Sequence, residues 1–177
     1  MLKQILKSTD PKLREKSKPV QKVDKKILSL IADLKDTLTV QEDPEGVGLA
    51  APQIGKNVQV FIIKTEKGLK TIINPKVLEI SKTPKNPKKG KKRKAKILEG
   101  CLSLPHYYGP LKRTGKIKLR YLNEDAKEVT EVFSNFSAQI IAHELDHLNG
   151  ILFTDRLLEQ KAPLYEYKNG EWERVEL

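Results

Sequence analysis

The chain has 177 residues, a single cysteine and a formal net charge of +11. That length suits one domain with a real core, and no run of about 18 apolar residues is present, which excludes a membrane-spanning helix. One cysteine excludes an internal disulfide framework and suits a reducing compartment. The start, Met1-Leu2-Lys3-Gln4-Ile5, lacks the apolar core of a signal peptide, so the expectation is a cytoplasmic protein.

In chain order, Asp24 is the expected N-cap of a helix running to about Val40, with Ile27, Leu30, Ile31, Leu34 and Leu38 on one stripe. Next comes Gly46-Val47-Gly48-Leu49-Ala50-Ala51-Pro52-Gln53. Gly46 and Gly48 let backbone approach a bound peptide or take positive φ, while the plainer reading is a tight turn joining helix to strand. Residues 58–63 and 71–73 predict a strand pair around Lys67-Gly68. Residues 82–96 hold nine Lys/Arg and no acid, leaving 11 − 9 = +2 for the rest, so the body of the chain is nearly neutral. With prolines, a glycine and no apolar periodicity, they predict a loosely ordered, solvated loop. Residues 116–122 alternate as a strand and turn at Asn123-Glu124-Asp125 into a second strand over 128–133. A helix is expected from Ser134 or Asn135 to Gly150. The tail alternates on both sides of Lys168-Asn169-Gly170, and Asn-Gly is a strong hairpin signal. The expected fold is α+β, with mostly antiparallel sheets around a central helix and a C-terminal strand or hairpin.

That helix carries the chemistry. In His143-Glu144-Leu145-Asp146-His147 the two histidines are four apart, so both rings share one face and can reach one metal ion. Glu144 is close enough to handle the protons of a water at that ion. Surface residues matching by chance are the bland alternative. Phe136, Ile140 and Ile141 precede the motif at helical spacing, giving the apolar surround a metal site needs. The reading is a metal-dependent hydrolase.

Two ligands leave such a site incomplete, since catalytic sites usually hold three plus an open position. The extended peptidase pattern would put a histidine at 153, where the chain has Phe153, and Glu166 or Glu171 falls in the expected polar hairpin. Upstream, Cys101 sits in Glu99-Gly100-Cys101-Leu102-Ser103-Leu104-Pro105. A lone cysteine is most often a small buried hydrophobe, but Gly and Pro around it suggest a strand end where a thiolate could approach a metal. Glu99 next to this ligand loop is expected to orient a neighbour, with Arg113 as its candidate partner; a solvated charge is the alternative.

Taken together, the 46–53 segment, Glu99-Gly100-Cys101-Leu102-Ser103, and His143-Glu144-Leu145-Asp146-His147-Leu148-Asn149-Gly150 resemble the three signature motifs of peptide deformylases, in order and at family-like spacing. The similarity runs from about Leu6 to Arg156, through Asp10-Pro11-Lys12-Leu13-Arg14 and Ile73-Asn74-Pro75; Ala142 stands where the family often has glutamine. The resemblance implies a single catalytic domain over residues 1–177 with an insertion at about 82–96. It would remove the formyl group from the N-terminal formyl-methionine of nascent polypeptides and release formate.

By matching position, Cys101, His143 and His147 would hold Fe(II), with Zn, Ni or Co able to substitute. Glu144 would be the acid/base, and Gln53 and the backbone N–H of Leu102 would bond the substrate oxygen. The peptide would lie along Gly46, Val47, Gly48, Glu99 and Gly100, with Val47, Phe136 and Ile140 walling the methionine pocket. Many bacterial members end in a long helix, sometimes a ribosome anchor. The hairpin expected here shifts attention to the lysine run at 82–96 as a contact to ribosomal RNA. Two other classes weigh less. A zinc peptidase lacks its downstream ligand, and a structural metal site in an RNA-binding protein lacks a fourth Cys or His, since only His106 is spare and it is expected in a loop.

Overall fold

The computed structural model describes residues 1–81 and 98–177. The lysine run expected at 82–96 lies outside the described residues.

Helix α1 (Lys25–Thr39) starts where the sequence places it: an Asp24 carboxylate oxygen accepts from the backbone N–H groups of Lys26 and Ile27. A five-stranded antiparallel sheet follows, in the order β1-β2-β3-β6-β7. Its strands are β1 (Gly48–Ala50), β2 (Val60–Thr65), β3 (Gly68–Ile80), β6 (Lys116–Leu122) and β7 (Glu128–Ser134). A second, four-stranded sheet comprises β4 (Glu99–Cys101), β5 (Leu104–Gly109), β8 (Leu164–Lys168) and β9 (Glu171–Val175), in that spatial order. Helices α2 (Asn135–Leu148) and α3 (Phe153–Glu159) complete the fold.

The run Val60-Phe61-Ile62-Ile63 explains how the first sheet is covered. All four residues are buried, and side chains alternate across a strand, so both faces of β2 need an apolar partner. Phe61 and Ile63 point into a core with Ile117, Leu119 and Phe133 and with Ala138, Ile140 and Ile141 of α2. Val60 and Ile62 join Ile31, Leu34 and Leu38 of α1 on the other side. A third core, of Leu111, Phe153, Leu157 and Leu164, joins α3 to the second sheet and includes Cys101.

Most elements sit where periodicity puts them. The tail is the hairpin β8–β9, with Asn169 and Gly170 both at positive φ (53° and 80°), as a tight two-residue turn requires. Two details differ from what the sequence predicts. Ser134 stands at the N-cap of α2, but its side chain makes no capping bond; the start of the helix is set by β7 running straight into it. His106, expected in a loop, is inside β5 with φ 68°. Among the described residues no helix is long and apolar enough to cross a membrane.

Candidate metal centre

Strand β4 ends at Cys101, and α2 brings His143 and His147 against it one helical turn apart. The Cys101 Sγ lies 3.3 Å from His147 Nε2, which is 3.1 Å from His143 Nε2. All three donor atoms lie within 4.8 Å of one another, and all three residues are buried. Donors held about 2.1 to 2.3 Å from one ion in a tetrahedron stand about 3.4 to 3.7 Å apart, so this trio fits a metal. Burial alone would push the Cys101 thiol up, yet His147 and His143 bring it well below the ordinary thiol range. His143 moves oppositely: burial lowers it, but Cys101 and Glu99 raise it well above the ordinary imidazole value.

The ring of His143 is aimed by its other nitrogen. Nδ1 is 2.7 Å from a Glu99 oxygen, leaving Nε2 for the cluster, a common arrangement behind metal-bound histidines. Glu99 is not a solvated charge. It is buried, and both its oxygens accept from Arg113, at 2.9 and 2.6 Å. Burial would raise its pKa, but the bonds from Arg113 and His143 prevail and hold it at about 2. Arg113 also donates to Asp146 at 2.7 Å, and Arg156 clamps the same carboxylate at 3.0 and 2.7 Å. A chain of alternating charges thus runs beneath the cluster and fixes the orientation of α2.

Glu144, one residue past His143, is buried with its Oε2 making no hydrogen bond among the described residues. Burial lifts its pKa to about 7, with His143 and His147 opposing. A carboxylate left unpaired in an apolar surround is costly, which is typical of a group reserved for a reacting molecule. The room beside it depends on Gly48: a Cβ there would run into the Glu144 carboxylate and approach Ile140 Cγ2 to 2.9 Å.

Gln53 is held in place at both ends of its amide. Its Oε1 accepts from the Ala50 N–H at 2.9 Å, and its Nε2 donates to Ser103 Oγ at 3.1 Å and faces Cys101 Sγ at 3.6 Å. The donors open into a cavity of about 300 Å³. Every residue expected to touch substrate lines it except Gly46: Val47, Gly48, Gln53, Glu99, Gly100, Leu102, Phe136 and Ile140. Gly46 lies one step back, packed on Leu38 and Gln41 so closely that a Cβ would come within 2.7 Å of Leu38. Sequence reasoning gives no role to Ser103, Asp146 or Tyr108, though the first two lie inside the motifs. Their polar side chains beside expected ligands are the available signal; Tyr108 has none.

With this geometry, known proteins give a consistent answer. The polypeptide deformylase family profile matches residues 2–163. Peptide deformylase 2 of Clostridium acetobutylicum is 40% identical over 158 residues, which is 89% of this chain and 97% of that protein. The crystal structure of peptide deformylase from Thermotoga maritima superposes with a TM-score of 0.76 at 35% identity, covering 88% of this chain and 97% of that one. The peptide deformylase of Ehrlichia chaffeensis gives 0.78 at 30% identity, with 91% and 90% covered. By profile, by sequence and by fold, the chain belongs to the polypeptide deformylase family.

Proposed function

We propose that this chain, as one catalytic domain over residues 1–177 with an insertion at about 82–96, hydrolyses the formyl group from the N-terminal formyl-methionine of nascent polypeptides. The observation that carries the reading is a buried thiol and two imidazoles clustered beside an unpaired carboxylate, at a cavity of about 300 Å³. Cys101, His143 and His147 would hold the ion. Fe(II) is the proposed resident metal, with Zn, Ni or Co as substitutes; the mixed thiolate and imidazole set suits all of them, and the thiolate makes the iron form oxygen-sensitive. When bound, the ion supplies Lewis acidity toward the formyl oxygen and toward water.

The chain's own residues do the rest. Glu144 accepts the proton of the attacking water and returns it to the departing amine nitrogen, so the formyl C–N bond breaks with formate and a free amine as products. Gln53 Nε2 and the Leu102 N–H donate to the oxygen on which charge develops, each worth about 3 kcal/mol in comparable sites. Val47, Phe136 and Ile140 exclude water around the methionine side chain, while Gly48 and Gly100 keep side chains out of the path of the peptide backbone; Gly46 acts one step back, by letting that segment pack on Leu38.

The proposed compartment is the cytoplasm, where nascent chains emerge. The lysine run at 82–96 would hold the enzyme near ribosomal RNA, predicting salt-sensitive ribosome cosedimentation that disappears when these residues are deleted; equal cosedimentation of the deletion variant would end that idea. The activity is tested by formate release from formyl-Met-Ala-Ser with anaerobically purified, iron-loaded protein, beside Cys101→Ala and Glu144→Ala. Rapid release abolished in both variants is the expected outcome; a folded, metal-loaded wild type that releases none overturns the reading. Ile140→Trp should raise the KM for formyl-methionine peptides.

A further inference from the structure

The family profile ends at residue 163, so the hairpin β8–β9 lies beyond it. In the structure this hairpin touches the cleft. Tyr108 of β5 lines the cavity, and its ring sits so close to Gly100 that a Cβ there would come within 2.7 Å of two ring carbons. The Trp172 ring meets Tyr108 at 5.4 Å between centroids and 72° between planes, edge to face. Tyr167, the cross-strand partner of Trp172, follows at 4.8 Å. Tyr108, Trp172 and Tyr167 therefore form one continuous aromatic cluster that begins at the cavity.

The outer two rings are not core. Trp172 is 52% exposed and Tyr167 41% exposed, and exposed aromatic surface joined to a binding cavity marks a place where something else packs. The charge around it selects the occupant. Residues 164–177 carry Glu166, Glu171, Glu173 and Glu176 against Lys168 and Arg174, an acidic segment in a basic chain, which disfavours nucleic acid. Continuity with the cavity through Tyr108 favours the peptide proposed to bind there. An extended chain advances about 3.3 Å per residue, so the 5.4 Å from Tyr108 to Trp172 is covered within two residues of the one in the cavity.

We propose that the C-terminal hairpin extends the cleft, and that Trp172 and Tyr167 receive the third and following residues of the formylated peptide, favouring large apolar or aromatic side chains there. This inference rests on the deformylase reading. Tyr108 is the hinge between the two parts of the cleft, held between Gly100 and Trp172.

The test compares formyl-Met-Ala-Phe-Phe-Ser with formyl-Met-Ala-Ser-Ser-Ser on the metal-loaded enzyme. The phenylalanine peptide should have a KM lower by roughly three- to tenfold, the usual yield of aromatic pairing, and the ratio of the two kcat/KM values should fall toward one in Trp172→Ala. A hairpin with only a structural role would depress both peptides alike and keep the ratio. Tyr167→Ser gives the same readout should Trp172→Ala fold poorly. Trp172 is the only tryptophan in the chain, so its fluorescence reports the ledge directly. In Glu144→Gln, where turnover is blocked, the phenylalanine peptide should shift the emission saturably and the serine peptide should not. Equal KM values with unshifted emission overturn the inference while leaving formate release, and so the deformylase reading, intact. Absence of formate from both peptides would instead strike that reading, and the emission titration would still decide the ledge.

Discussion

Helices α1 and α2 lie on opposite faces of the same sheet and have nearly the same length, yet they obey different rules. The buried side of α1 consists of Ile31, Leu34, Thr37 and Leu38, an ordinary amphipathic helix. The buried side of α2 includes His143, Glu144, Asp146 and His147 alongside Ala138, Ile140, Ile141 and Leu148. Four ionisable groups in one helix core are tolerated because each has either a partner or a chemical role. Asp146 sits between two arginines, His143 against Glu99 and His147 against Cys101, while Glu144 faces the cavity. α1 holds the fold, whereas α2 makes the fold pay for a reactive site.

The contrast can be broken hardest at the ligands. Cys101→Ser should reduce bound metal from one per chain to nearly none by elemental analysis, with formate release lower by on the order of a thousandfold; retained stoichiometry would remove Cys101 from the ligand set. Next comes the support beneath. Among the described residues, Arg113→Met leaves Glu99 with His143 alone and Asp146 with Arg156 alone, on side chains only 5% and 10% exposed, and should cost about 3 kcal/mol in chemical denaturation. A loss under about 1 kcal/mol would mean that the arginine is dispensable there.

On the other helix, Leu34→Ala should cost about 2–5 kcal/mol through its cavity with metal content and KM held at wild-type values; a changed metal stoichiometry would show that the two helices are not independent. The smallest effect lies on the sheet, away from both sites. Burial raises Glu131, but Lys70 at 2.6 Å and the Tyr121 hydroxyl at 2.8 Å bring it below the ordinary carboxylate value. Its contribution is therefore complete above that ordinary value and is lost as pH falls through the depressed one. Being partly exposed, it should stay under about 1 kcal/mol. Glu131→Gln should flatten the acid limb of a stability-versus-pH curve slightly, and an unchanged limb would rule the interaction out.

What is legible in the sequence follows the same division. The stripe of α1, the alternation of β6 and β7 and the Asn169-Gly170 turn are local patterns, and local physics decides them. The histidine pair is readable because a helix alone sets its geometry. Cys101 is only a candidate partner from its Gly and Pro neighbours, and resemblance makes it a ligand, since a contact between β4 and α2 has no local signature. The roles of Ser103 and Asp146 are hidden for that reason, and so is the reach of Tyr108 toward Trp172, which depends on β8 pairing with β5 across a long separation. The lysine run shows the converse: composition identifies it at once, but composition alone gives it no partner.

One further consequence comes from the N-terminal segment. Leu6 donates its backbone N–H to the Gln53 carbonyl, Ser8 to that of Ser103, and Ser17 to that of Leu148, so a single strap ties together all three motif segments. Gly150 closes the last tie, with φ 72° and no room for a Cβ beside the Arg14 carbonyl. Synthesis delivers the strap before its partners Gln53, Ser103 and Leu148, in that order. Leu6 can bond once Gln53 has been made, whereas Ser17 waits for α2, so the three ties span most of the fold and the site is complete only with the last of them. For an enzyme that acts on polypeptides at their birth, the final tie of this strap joins a segment made early to the helix that carries its two histidines.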